Sequence, residues 1–182
     1  MGIMRLNKIT QKKNNKLFTK SIPLSMHKIY IKSPIGDLEI EGDDQGIMAI
    51  TFLDKEVAPS TVIPGSLKDA VQQLDEYFAK KRTVFDLKLN AQGTEFQTKV
   101  WRTLQTIPFG KTASYLDMAK TIGDPKVIRA AASANGKNPI SIVIPCHRVI
   151  GSDGSLTGYA GGLHRKKWLL EHESPVKQVS LF

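Results

Sequence analysis

The stretch "SYLDMAKTIGDPKVIRAAASANGK", Ser114 to Lys137, decides how the rest of the chain is read. Ser114 is a natural N-cap, and Asp117 three residues on can close a capping box. Gly123 and Asp124 form a tight turn, and Pro125 suits a first helical turn. Two short helices joined this way predict a helix-turn-helix. The second helix is almost bare: Ala130, Ala131, Ala132, Ser133, Ala134 and Gly136 leave Arg129 as its one long cation. A helix that reads the major groove carries long polar side chains. A slim rod fits a groove only about 6 Å wide, the minor groove. It also fits tight packing against a neighbouring helix, and both readings stand at this point.

Toward the C-terminus, "ISIVIP" is expected as a short apolar strand or extended segment, and it leads into Cys146, the one cysteine of the chain. His147 follows at once. A thiol has a pKa near about 8.5, and the nucleophile is the thiolate, so a reactive cysteine needs a base or a positive field. His147 can be that base, directly or through a water, and an imidazole needs an acceptor to fix its tautomer. Glu173, Asp153 and Glu171 are the candidates. A lone cysteine is otherwise a small buried hydrophobe. "RKKWLLEHE" predicts a closing helix.

Toward the N-terminus, "TEFQTKVWRTLQTI" places Phe96, Val100, Trp101, Leu104 and Ile107 on one helical face. Earlier still, Ile29 and Ile31, Leu38 and Ile40, and Ile50 and Phe52 alternate with period two, with "SPIGD" and "GDDQG" as turns. "SLKDAVQQLDEYFAKK" predicts an amphipathic helix capped by Ser66 and Asp69. "VFDLKL" returns to alternation, and "NAQG" reads as a linker.

The 182 residues suffice for one domain or two small ones, and 41% are hydrophobic. A single cysteine excludes an internal disulfide framework and a cysteine-rich zinc site. No apolar run approaches the roughly 20 residues of a membrane span. The start of the chain lacks a secretory signal pattern and the Ser or Thr of a myristoylation site, so a soluble intracellular protein is expected. The net charge of +9 is uneven: residues 1–28 carry +7, residues 29–96 carry −5 and residues 97–182 carry +7. A basic second half suits a polyanion or is a solvated face.

Several blocks together resemble the O6-alkylguanine-DNA alkyltransferases. "IPCHRV" is similar to their acceptor motif, and "GTEFQTKVWRTLQTIPFGKTASY", "RAAASANGKNP" and "GYAGGLHRKKWLLEHE" follow the family in order and spacing. "SPIGDLEI" and "DDQGIMAITF" match its first domain more loosely. The resemblance implies an α+β protein. A ribonuclease-H-like α/β domain over 26–90 would precede a helical, helix-turn-helix domain over 91–175, with a flexible basic arm at 1–25 and a tail at 176–182. It implies an alkyl acceptor in Cys146, a base in His147, an orienting carboxylate in Glu173 and a hinge in Asn138. Arg129 would be a finger filling the place of a flipped nucleotide, with Tyr115 assisting, and Ala130, Ser133 and Ala134 would line the DNA. The guanine pocket would comprise Tyr115, Asn135, Val149, Leu156, Tyr159 and Ala160.

The implied partner is double-stranded DNA carrying O6-alkylguanine, with O4-alkylthymine a further candidate substrate, bound through the minor groove by a monomer. No cofactor, metal or membrane is expected. Zinc in some members is held by N-terminal cysteines, which this chain lacks, and some members have Ser where this chain has Ala160. The cytoplasm is the expected compartment, or the nucleus in a eukaryote. The activity implied is a single, irreversible transfer that consumes the cysteine. A lesion sensor without transfer, and a cysteine hydrolase with repeated turnover, are the alternatives.

Overall fold

The computed structural model describes residues 25–175. The expected arm, up to residue 24, and the tail at 176–182 lie outside the described residues. Three antiparallel strands open the fold: β1 (His27–Ile31), β2 (Leu38–Asp43) and β3 (Gly46–Phe52), in the order β1-β2-β3. The alternation read from the sequence sets their register. Ile29 faces Ile40, Ile40 faces Ile50, and Leu38 faces both Ile31 and Phe52. Ile29, Leu38, Ile40, Ile50 and Phe52 are buried, and Ile31 is half-buried. The polar residues between them fall on the other face, where Lys28 pairs with Glu39 and Glu41.

Helix α1 (Gly65–Phe78) buries Leu67, Ala70, Leu74 and Tyr77. Its start departs from expectation. The cap is Pro64, with no side-chain cap bond, because the helix begins two residues earlier than a cap at Ser66 requires and places Ser66 inside its first turn. The Ser66 hydroxyl is hydrogen-bonded instead to Nδ1 of His27, at 3.0 Å, tying the helix to β1. "VFDLKL" does not form a strand. It meets the sheet at one parallel bridge, Leu89 to Ile47, where Ile47 N–H donates to the Lys88 carbonyl at 2.8 Å and Asn90 N–H to the Ile47 carbonyl at 2.7 Å.

The second half comprises α2 (Glu95–Leu104), β4 (Ala113–Ser114), α3 (Tyr115–Ile122), α4 (Ile128–Gly136), β5 (Val149–Ile150) and α5 (Leu163–Glu173). Strands β4 and β5 pair in parallel, an element too short for periodicity to reveal. Helix α2 starts at a complete capping box of Thr94 and Gln97. Val100, Trp101 and Leu104 are its buried face, and Ile107 is buried just past its end. The box of Ser114 and Asp117 at α3 forms as read. Gly123, at φ +113°, ends α3 in a left-handed conformation that a side chain would disfavour. Asp124 then caps a single 3₁₀ turn, Pro125–Val127, that leads into α4.

Helix α4 packs on one side and leaves the other open to solvent. Ala131 and Ala134 are buried, whereas Arg129, Ala130 and Ser133 are exposed. Trp101 of α2 reaches across to donate its indole N–H to the Ala134 carbonyl at 2.9 Å. "ISIVIP" is a run of buried turns in place of a strand. Only Ile140 pairs with the sheet: Ile50 N–H donates to the Pro139 carbonyl and Ser141 N–H to the Ile50 carbonyl, both at 2.9 Å. Ile142 turns the chain back at φ +71°, a costly conformation for a β-branched residue, held by complete burial. The hydrophobic core is continuous from β1 to α5.

Trp101→Phe should therefore lower stability by about 1–3 kcal/mol, since it leaves the buried Ala134 carbonyl without that donor and removes core volume. The midpoint of urea denaturation measures it.

Candidate active site

Cys146 begins a short 3₁₀ turn, Cys146–Arg148, at the end of the buried segment from Asn138. It is 4% exposed. Asn138, also buried, organises the approach. Its Oδ1 accepts from the Ile140 N–H at 3.0 Å, while its Nδ2 donates to the Ile144 carbonyl at 2.8 Å and to Cys146 Sγ at 3.0 Å. One side chain thus joins the residues just after α4 to the sulfur. Burial pushes the thiol up to about 11, against the opposing pull of the Asn138 bond and of Lys166. The resting sulfur is a protonated thiol at neutral pH.

His147 is wholly buried, and its Nε2 lies 2.9 Å from Glu173 Oε1. Four other donors converge on the same carboxylate: the Tyr77 hydroxyl at 2.8 Å, Arg148 Nε at 2.8 Å and Nη2 at 3.0 Å, and the Gly110 N–H at 3.3 Å. Burial alone would raise the Glu173 carboxyl. The hydrogen bonds from His147 and Arg148 more than reverse this and hold it down at about 2. An ionised carboxylate only accepts, so Nε2 carries the histidine proton and Nδ1 keeps its lone pair. Nδ1 has no hydrogen-bond partner among the described residues. Burial also holds the imidazole below its ordinary pKa, so it is neutral at pH 7. Burial and the Glu173 charge push the Tyr77 phenol far up, keeping it a donor.

The other two candidate carboxylates lie elsewhere. Asp153 accepts from the Ser155 N–H in its own loop, and exposed Glu171 faces Lys167 at 3.9 Å. Arg148, Tyr77 and Gly110 were not singled out from the sequence. Arg148 lies inside the quoted "IPCHRV", so its place beside His147 was the available signal. Tyr77 is 96 residues from Glu173 and had none.

A cleft of about 640 Å³ opens between α4 and the loop before α5, lined by Tyr115, Arg129, Asn135 and Tyr159 among others. Asn135 Oδ1 is buried there without a hydrogen-bond partner among the described residues. Of the expected pocket, Val149 is fully buried beneath the surface, and Leu156 and Ala160 are not on the wall. Their neighbours Thr157 and Gly158 take that place, because the loop turns at Gly158. Ile128, Ala132 and Gly136 of α4 line the cleft as well. Tyr159 meets Phe52 of β3 edge-on, with ring centroids 6.5 Å apart. Gly161 permits this approach, since a Cβ there would sit 2.8 Å from Phe52 and 2.9 Å from Tyr159. Among the described residues no cluster of three or more His, Cys, Asp or Glu could hold a metal ion, and no helix is long and apolar enough to cross a membrane.

Two family models match the chain. Residues 26–91 match the ribonuclease-like domain of 6-O-methylguanine DNA methyltransferase, and residues 95–175 match its DNA-binding domain. A methylated-DNA–protein-cysteine methyltransferase of Mycobacterium tuberculosis is 47% identical over 152 residues, 81% of this chain and 92% of its own. One from Methanosarcina acetivorans is 44% identical over 153 residues, 81% of this chain and 98% of its own. The crystal structure of the M. tuberculosis O6-methylguanine methyltransferase superposes with a TM-score of 0.75 at 45% identity, covering 86% of this chain and 98% of that one. A second crystal structure, of M. tuberculosis OGT in complex with DNA, gives 0.74 at 48% identity, covering 81% and 92%. With a ribonuclease-like sheet unit followed by a helical unit that matches the DNA-binding domain and carries the single cysteine, the chain belongs to the O6-alkylguanine-DNA alkyltransferases, the methylated-DNA–protein-cysteine methyltransferases.

Proposed function

We propose that this chain repairs double-stranded DNA by taking the alkyl group of O6-alkylguanine onto Cys146, once and irreversibly. The observation that carries the reading is the buried chain of Cys146, Asn138, His147 and Glu173 beside a cleft walled by α4. Nδ1 of His147 is the one basic lone pair in this set that no protein group occupies, and it takes the thiol proton, directly or through a water. Glu173 holds the ring in that tautomer and stabilises the imidazolium as it forms. Asn138 donates to the sulfur and steadies the developing thiolate. The thiolate attacks the alkyl carbon, the S–C bond forms as the C–O6 bond breaks, and the electron pair leaves on guanine. A thioether remains, and no residue of the site can cleave it.

A base stacked in a duplex cannot reach a sulfur this deeply buried, so it must be turned out into the cleft. The exposed side of α4, bare at Ala130 and Ser133, suits the minor groove. Ala134, buried, contributes to packing and not to that face. Arg129 is exposed at the cleft's rim, where it can fill the place of the extruded nucleotide, and half-buried Tyr115 stands beside it to assist. Lys120, Lys126 and Lys137 are exposed around the two helices and supply phosphate contacts. The two units divide at about residues 90–91, and the protein acts as a monomer in the compartment that holds the DNA, the cytoplasm, or the nucleus in a eukaryote. O4-alkylthymine is a further substrate of the same cleft. The reading is tested by incubation with a duplex bearing one O6-methylguanine and intact mass measurement, which should show one methyl per chain and never more. A cysteine hydrolase would instead turn over repeatedly, and a lesion sensor would gain no mass.

Cys146→Ser should abolish transfer while leaving DNA affinity within about twofold, since positioning contacts to phosphate come from surface cations. Methyl transfer measured beside a gel shift checks both halves.

Arg129→Ala should slow repair of a duplex far more than reaction with free O6-benzylguanine, because only a duplex has a gap to fill. Equal slowing on the two substrates refutes the finger role.

Glu173→Gln should cost about 3–5 kcal/mol, the usual consequence of removing one partner of a buried ion pair. The folded carboxyl titrates near 2 against an ordinary value of 4.5. Its stabilisation is therefore complete above pH 4.5 and lost as pH falls through 2. Melting temperatures across that window should fall less steeply in the variant than in the wild type.

A further inference from the structure

Lys166 is wholly buried on the inner side of α5. Its ammonium donates to three backbone carbonyls, of Val149 at 2.7 Å, Thr157 at 2.6 Å and Gly158 at 3.4 Å. Those carbonyls belong to the residue that follows the Cys146–Arg148 turn and to two residues of the cleft wall. Among the described residues it forms no ion pair with a carboxylate. The other cations near the site are balanced or shared. Arg148 is held by Glu173, and Arg165 lies 3.1 Å from Asp54 and donates to the carbonyls of Ile35, Leu53 and Gly161. An ammonium buried without a counter-charge is expensive. A neutral amide could donate to two of these carbonyls without that cost, so hydrogen bonding by itself leaves the full charge unexplained.

We propose that Lys166 is a positioning residue for alkyl transfer: its buried charge provides the field in which Cys146 ionises, and its three hydrogen bonds hold the cleft wall in register with the sulfur. The proposal rests on Cys146 being the acceptor. Lys166 neither gives nor takes a proton, because each of its three N–H bonds already has a carbonyl. The thiol proton leaves to His147, and the ammonium remains charged throughout. The thiolate is then the counter-charge that the resting protein withholds. The groups that face this pair are few: Cys146 and His147 on the 3₁₀ turn, Arg148 beside them, Glu173 on α5, and Tyr159 on the cleft wall. Glu173 is saturated by its own donors, and Tyr159 stays a neutral phenol because burial and the nearby sulfur push its pKa well up. Burial pushes Lys166 below the ordinary lysine value, and the sulfur of Cys146 works in the opposite direction, as a mutual interaction requires.

The test reads ionisation apart from repair. Alkylation of Cys146 by iodoacetamide is followed by peptide mass from pH 6 to pH 10 in the full chain. Lys166→Met removes the charge and the donors, and Lys166→Gln removes the charge but keeps an N–H donor. Both should move the pH profile at least one unit to the alkaline side, slowing alkylation about tenfold at any pH below the inflection. Folding is checked by melting temperature. Profiles that coincide with the wild type in a folded neutral variant overturn the proposal. Should both variants fail to fold, Lys166→Arg decides: it keeps a cation and its donors at the same place, so its iodoacetamide profile should coincide with that of the wild type, and a profile moved a unit or more to the alkaline side overturns the proposal. Failure of methyl transfer from DNA with a normal iodoacetamide profile would instead count against Cys146 as the repair acceptor.

Discussion

The buried carboxylate of Glu173 is the interaction on which the rest of the molecule depends. Five donors from three parts of the chain meet on it: α1 through Tyr77, the 3₁₀ turn through His147 and Arg148, and the loop after α2 through Gly110. Arg148 extends the network by donating to the Ile107 carbonyl at 2.6 Å. A buried charge is tolerable only when its partners are complete and well placed. The requirement fixes the end of α5, the turn carrying Cys146 and the sheet unit's helix in one arrangement. The same bonds set the tautomer of His147, so the demands of stability and of chemistry fall on one group.

Backbone pairing does the second part of the work. The outer edge of β3 is left open by the sheet and is covered by residues 88–90 and 139–141. An uncovered edge would be free to pair with another chain. Here the cover is also the segment that leads from α4 to Cys146. Asn138 lies at the junction, bonded to the turn and to the sulfur, so one side chain ties the segment that follows α4 to the thiol.

Charge is partitioned by depth. The cations around the helix-turn-helix are exposed and free to meet phosphate, where water screens them from each other. Arg148, Arg165 and Lys166 are buried, and each is committed to carbonyls or carboxylates that fix a loop. The basic excess of the second half therefore divides into a surface that recruits a polyanion and an interior that holds the site.

The sequence by itself determined the strands, through the period-two alternation of Ile29 to Phe52. It also determined the cap of α3, the helix-turn-helix and the neighbourhood of Cys146 and His147, because each is written within a few consecutive residues. It misassigned the start of α1, since Ser66 found a distant partner in His27 that outweighed a local cap. It read "VFDLKL" and "ISIVIP" as possible strands, because an apolar run has the same composition whether it pairs along its length or touches a sheet once. The family resemblance pointed to Glu173 where the residues alone left Asp153 and Glu171 open; only the tertiary structure brought His147, Tyr77 and Gly110 to it and buried Lys166 against the cleft wall. Those decisions join residues tens of positions apart, and what selects them is the cost of leaving a charge or a backbone group unpaired in the interior, a quantity no local window of sequence contains.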